Sequence, residues 1–472
     1  MDAARGNSGD RRSYVIVGRL IAVMFLGANL AACTVAASPS LPAGASDSPA
    51  ASMLPSETDS FAPSPTATTA TATASQSISP SPKPTTTAKA GSLPTGDWTA
   101  INWTSVPSGH APTGLSKDSD SEFDLFGWSG GFIDFVHKQG TTNIVPWYSA
   151  DGLTWHAAKA LDSTGLKTDF GPDYVARISS FAEGPAGIVA TGYLQPLGIA
   201  CGPSEYPVQA IWNSVDGGAT WSRMSVTAAF PKGSIYRISG GSAGYIARGT
   251  LGDKVAMWVS GDARTWKQAD LSASTFAKTY LTTGVAFSGG YVLAGTTAAG
   301  TGGCGGSDES VKFTGALWHS SDGKSWTRDT LPGAPVGDWA WMDVQRLSDH
   351  VLYATETAET DNGPDVVATD TYAAWTSKDG KTWTKVAAGP PLTDSNVYSN
   401  GQYGVVVSWP YGDETAHVSV WAFSAALHPV QLTQRGDAPL QQTWLAGAMG
   451  PTGFLAVTAD GTHFWLGVPQ TH

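Results

Sequence analysis

A ten-residue frame recurs along this chain and limits what it can fold into. It reads "PWYSADGLTW" from Pro146, "MWVSGDARTW" from Met257, "LWHSSDGKSW" from Leu317 and "AWTSKDGKTW" from Ala374. A fifth copy, "IWNSVDGGATW" from Ile211, carries one more residue. The first Trp of each copy stands at 147, 212, 258, 318 and 375, at intervals of 65, 46, 60 and 57 residues. Self-similarity at such spacing marks repeated supersecondary units that bury their faces against one another. Weaker copies keep Trp421 in "SVWAFSAALHPV" and Trp465 in "FLAVTADGTHFWLGV". A strand-like run precedes each Trp, from "GGFIDFV" at Gly130 to "TGFLAVT" at Thr452, which makes seven units. Six is the alternative count, with the Tyr403 segment as an irregular insertion.

Within the frame, Asp-Gly favours a turn with positive φ that matches the right-handed twist of the strands it joins. The Asp carboxylate and the Ser or Thr hydroxyls accept backbone N–H groups inside such a turn. The second Trp then begins the next strand and buries a large apolar face. Asp151, Asp216, Asp262, Asp322 and Asp379 are therefore read as turn staples and not as catalytic acids. Beyond Gly96 every segment is short, β-rich and bounded by Gly, Pro, Asn or Asp, with 55 glycines in the chain, which points to an all-β fold.

The frame Ser-x-Asp-(x)-Gly-x-Thr-Trp resembles the Asp-box, or BNR repeat, of sialidase-like β-propellers. "SVDGGATW", Ser214 to Trp221, fits that spacing without a gap; the other copies are one residue shorter, and Ala263 stands where Gly is usual. The likeness runs over about 375 residues, from Asp97 to the end. It implies a seven-bladed β-propeller, with the frame between the third and fourth strands of each four-stranded blade. "GDWTAINW", Gly96 to Trp103, matches the strand after a frame, with Trp98 placed as Trp326 is. The last unit lacks that strand, so Asp97 to Trp103 is expected to complete it and close the ring, which removes exposed sheet edges.

Three regions are expected: an export signal over 1–33, a disordered tether over 34–95 and the propeller over 96–472. Arg11, Arg12 and Arg19 lead into the apolar run "LIAVMFLGANL" from Leu20, too short for a permanent span. "RRSYVI" at Arg11 resembles a twin-arginine export motif. The run ends in "LAAC", Leu30 to Cys33, which resembles the lipobox of bacterial lipoproteins. That implies an exported chain, held on the outer face of the cell membrane by lipid on Cys33. The tether is rich in Pro, Ser, Thr and Ala and holds too little apolar surface to offset its ordering entropy.

A net charge of −12 excludes an ordinary nucleic-acid binder, which needs a basic surface. No zinc spacing, full calcium-loop pattern or phosphate-binding Gly-rich loop followed by a helix is present, so no metal or cofactor is expected. The longest inserts, from Leu194 and from Ala298, carry Cys201 and Cys304. Both fall between second and third strands, in blades two and four, where a disulfide would persist in an oxidising compartment; two independent thiols are the alternative.

Of the 19 tryptophans, six lie outside repeat positions: Trp103, Trp128, Trp339, Trp341, Trp409 and Trp444. Trp339 and Trp341, in "GDWAWMD", are candidates to stack on a sugar ring or grip a peptide; packing between blades is the other reading. Trp128 and Trp444 join them as ligand-binding candidates. Arg177, Arg237 and Arg346 fall on innermost strands, so their guanidiniums could converge on a carboxylate; local pairing with Asp is the alternative. Sialidases use three arginines in this way, but their early Arg-Ile-Pro motif reads Arg-Ile-Ser here at Arg177 and Arg237. Asp338, Asp343, Glu356 and Glu414 are the candidate acids for a two-carboxylate hydrolysis. The leading expectation is a binding or scaffold module for a glycan, a cell-wall component or a protein partner. A sialidase-like exo-glycoside hydrolase is second and an assembly factor for an envelope complex third.

Overall fold

The computed structural model describes residues 93–107, 121–167, 174–196, 206–252, 254–299, 312–360, 369–390, 395–408, 417–439, 445–458 and 463–471. Cys33, Cys201, Cys304, Trp409, Glu414, Trp444 and most of the tether lie outside them. The described strands form seven sheets, and the protein is a seven-bladed β-propeller. The Tyr403 segment, the weakest unit by sequence, builds an ordinary four-stranded blade, with Gly404–Ser408 as its second strand.

The first strands of the blades are Ser121–Trp128, Tyr174–Gly184, Gly233–Gly241, Thr279–Phe287, Trp339–Ser348, Ser395–Ser399 and Leu445–Gly450. They pack against one another and so form the innermost ring. The four strands of each blade run antiparallel to their neighbours, so its first-to-second and third-to-fourth connections share one side, here called the turn face. The opposite side, the loop face, takes the second-to-third connections and the crossings between blades.

Closure is direct. The N-terminal strand Ala100–Val106 pairs antiparallel with the last strand, Phe464–Gln470, matching Ala100 with Gln470 and Val106 with Phe464. On its outer side the same strand takes a parallel partner, Thr433–Gly436. Trp103 is buried there, and its Nε1 donates to Gln434 Oε1. Ordered packing starts slightly before the expected boundary, since Leu93 joins the core between blades six and seven.

A blade has a neighbour on each side, so both faces of its middle strands must be apolar. Runs such as Ile188–Ala190, Tyr245–Ala247 and Val405–Val407 meet that need and are fully or almost fully buried. The result is one apolar cluster at each of the seven interfaces, blade seven against blade one included. The repeated Trp of the third strand enters these clusters in every blade but the first. Trp212, Trp318 and Trp375 are completely buried, and their Nε1 atoms donate to the carbonyls of Asp162, Thr275 and Pro332 on the segments entering their own blades.

The repeated turns behave as read. Asp322 Oδ1 accepts the N–H groups of Lys324 and Ser325 at 2.8 and 3.0 Å and the Ser320 hydroxyl at 3.0 Å. Gly323 has φ 69°, and in the third copy Ala263 takes φ 57° in its place. In blades one, three, four and five the outermost strands are exposed and only two residues long. Arg328 and Lys385 on them lie 5.9 and 6.0 Å from the ring centres of Trp318 and Trp375. Short, charged edges of this kind resist pairing with a second chain.

Candidate functional site: the loop-side mouth of the channel

Three elements bring aromatic and basic side chains to the loop face. Trp339 and Trp341, two residues apart at the loop-side start of the blade-five inner strand, stack with ring centres 6.1 Å apart and planes 20° apart. Trp341 also meets Tyr280 of blade four at 6.5 Å. The Tyr280 hydroxyl lies 3.2 Å from Arg248 Nη2, and Arg248 Nε donates to the Leu281 carbonyl at 3.3 Å. Arg248 is buried and stands opposite Arg237, which is exposed. A cavity of about 10 Å3 lies beside them, lined by Arg237, Arg248, Met257 and Thr283, room for about one water molecule. An aromatic and guanidinium chain thus runs from blade three to blade five, ending on Trp339, which is 41% exposed.

Blade two adds a second basic group. Arg177 donates to Gln195 Oε1 at 3.3 Å and lies 3.9 Å from Asp124 Oδ1. Asp124 also meets His137 Nε2 at 3.2 Å and accepts the Ile178 N–H at 2.9 Å. Burial works to raise the Asp124 pKa, but the His137 hydrogen bond and the charges of His137 and Arg177 outweigh it and hold the carboxyl below its ordinary value. Tyr193, opposite Arg177, stacks on Tyr206 at 5.4 Å, and burial pushes its phenol up to about 12.

The three sequence-nominated arginines share the inner ring but not one height. Arg346 stands next to the turn-face end of its strand, where Nη1 pairs with Asp349 at 3.1 Å. Local pairing, the alternative reading, describes Arg346 and Arg177; Arg237 alone of the three is exposed. At the turn end a polar network crosses the channel. Glu183 of blade two accepts the Ser129 N–H of blade one at 3.1 Å, and Asp349 accepts the Ser242 N–H of blade three at 3.1 Å. Arg346 Nη2 and Glu183 Oε2 lie 3.2 and 3.4 Å from where a Cβ on Gly401 would stand. Trp128 is buried and packs on Phe181 at 6.0 Å, so it belongs to the core between blades one and two.

The nominated acids are engaged. Asp338 pairs with Lys312 at 2.5 Å. Asp343 accepts from Thr283 Oγ1 at 2.7 Å and from Gln345 Nε2 at 3.0 Å. Glu356 is buried between blades four and five and accepts the Gly315 N–H at 2.5 Å; burial pushes its pKa up to about 7 against that bond. Among the described residues no group of three or more His, Cys, Asp or Glu side chains has a metal-binding arrangement. Tyr280, Arg248, Tyr193 and Tyr206 were not nominated from sequence. Tyr280, Arg248 and Tyr193 sit in ordinary strand runs, and only the register between strands and blades brings them to the mouth; Tyr206 lies in the insert that follows Leu194.

No family model and no curated protein matches the chain. Solved structures do resemble it. "YCF48 bound to D1 peptide" is 12% identical, covering 79% of this chain and 97% of that one, with a TM-score of 0.39. An α-L-arabinofuranosidase from Fusarium graminearum is 14% identical over 81% of this chain and 98% of its own, with a TM-score of 0.33. A structure described in a study of two prolyl endopeptidases is 11% identical over 75% of this chain and 50% of its own, with a TM-score of 0.37. At such identities and scores no function passes to this chain, and its fold rests on the sheet order and ring closure described above.

Proposed function

We propose that this chain is a non-catalytic docking module whose loop face holds a protein partner. One observation carries the reading: the stacked Trp339–Trp341 pair at the loop-side mouth, with Trp339 41% and nearby Val336 54% exposed. Large apolar side chains are rarely left in water together without a use. The engagement of Asp338 and Asp343 and the staggered arginines weigh against glycoside hydrolysis.

The reading includes kinship with Asp-box propellers, supported by the repeated Ser–Asp turns, and a lipid on Cys33 that holds the chain on the outer face of the membrane. It includes a Cys201–Cys304 bridge between two loop-face inserts. The described chain enters the propeller on the turn face, where Asp97 Oδ1 accepts the Ala425 N–H at 2.8 Å. The test is photo-cross-linking from position 339 in the full chain on intact cells, with a glycoside panel run in parallel. A single cross-linked protein, weakened by Val336→Ser, is expected; turnover of any glycoside, lost with Glu356→Gln, would contradict the reading.

A further inference from the structure

The blade-five corner of the mouth carries a chemistry opposite to that of its arginines. In the sheet register Trp339 stands opposite Glu359, and Glu359 opposite Asp370. Cross-strand partners project from the same face of a sheet, so one indole and two carboxylates form a row at the loop-side end of this blade. Asp370 is exposed and Glu359 half-buried. Lys312 neutralises Asp338, but neither Glu359 nor Asp370 has an ion-pair partner among the described residues. Like charges directly opposed across strands repel one another. An open indole face beside them attracts a cation through its ring quadrupole, and the carboxylates attract it through charge.

Building on the docking reading above, we infer that the Val336, Trp339, Glu359 and Asp370 corner seats a basic, partly apolar segment of the protein partner. A Lys or Arg of that segment lies on the Trp339 indole between the two carboxylates, and an apolar neighbour covers Val336. The chain's net charge of −12 favours a basic partner in the encounter as well as in the seat. Across the mouth, Arg177, Arg237 and Arg248 present the opposite sign. Occupancy of both sides therefore fixes the direction of the bound segment, its basic part over blade five.

The test uses the full chain and two synthetic peptides, Lys-Leu-Lys-Lys-Leu-Lys and its glutamate counterpart, followed by calorimetry and tryptophan fluorescence. The lysine peptide is expected to bind and perturb indole emission, and the glutamate peptide to leave that emission unchanged. Glu359→Gln with Asp370→Asn should weaken the lysine peptide about tenfold or more, and added salt should weaken it further. Asp270→Asn with Asp437→Asn removes the same charge at other exposed sites and should change affinity by less than about twofold. Equal loss in both double variants, or no loss in the first, overturns the inference. Loss with Trp339→Ala but not with the neutralised pair leaves the docking face standing and removes only its preference for a basic partner. Binding of a glucosamine hexamer with the same dependence on Glu359 and Asp370 overturns the polypeptide class.

Discussion

At the scale of single residues, the aspartates of the repeated turns are positioned to accept hydrogen bonds as anions. In Asp262 the N–H groups of Thr265 and Arg264 hold the carboxyl down to about 2; in Asp379 burial works upward, but the N–H groups of Thr382 and Lys381 win and bring it to about 2. A folded pKa below the unfolded one gives stability that is present above the ordinary carboxylate range and lost as pH falls toward 2. Asp262→Asn with Asp379→Asn should therefore make unfolding less dependent on pH between about 4 and 2, measured by denaturant titration at several pH values. Asp134 is the opposite case. It stands opposite Trp147, where the other six blades place Ala190, Ala247, Leu293, Ala354, Val406 and Ala456 opposite their tryptophans. It is buried, and its oxygens have no hydrogen-bond partner among the described residues. Burial, then the Asp124 charge, raises its pKa well above the ordinary value, so its contribution is lost as pH rises through that folded pKa. Asp134→Ala should raise stability at neutral pH by about 1–3 kcal/mol, with the gain shrinking as the pH is lowered.

At the scale of elements, the N-terminal strand has the least local support. It joins strands more than three hundred residues away in sequence, and its hold depends on Ile101 and Trp103, both buried. Trp103→Ala should cost about 3–5 kcal/mol in chemical denaturation and release the Thr433–Gly436 strand with it. This strand was legible in the sequence because "GDWTAINW" repeats the residues that follow a turn. The repeated Trp and the Asp-Gly turns likewise marked third strands and hairpins, since both are local chemistry. The mouth was only half legible. Trp339 and Trp341 stood out because they fall outside the repeat, while Tyr280 and Arg248 sit in apolar runs indistinguishable from core strands. Arg177, Arg237 and Arg346 looked equivalent by motif. Their heights differ because each lies at a different distance from its own hairpin, as the register shows.

At the scale of the whole molecule, the ring turns seven small sheets, none with a core of its own, into one cooperative body with an interface cluster at every junction. It also separates two faces: one carries the stapled turns and the entry of the chain near Asp97, the other gathers the aromatic and charged side chains of the mouth. Both consequences depend on the strand Ala100–Val106 being held by Phe464–Gln470. Hydrogen–deuterium exchange of the amides from Ala100 to Val106 tests this most directly. They should exchange as slowly as those of Val405–Val407 in the middle of blade six, and lose that protection when the last strand is deleted. Rapid exchange in the intact chain, at the rate of an unpaired tail, would contradict the closed ring and the two faces it defines.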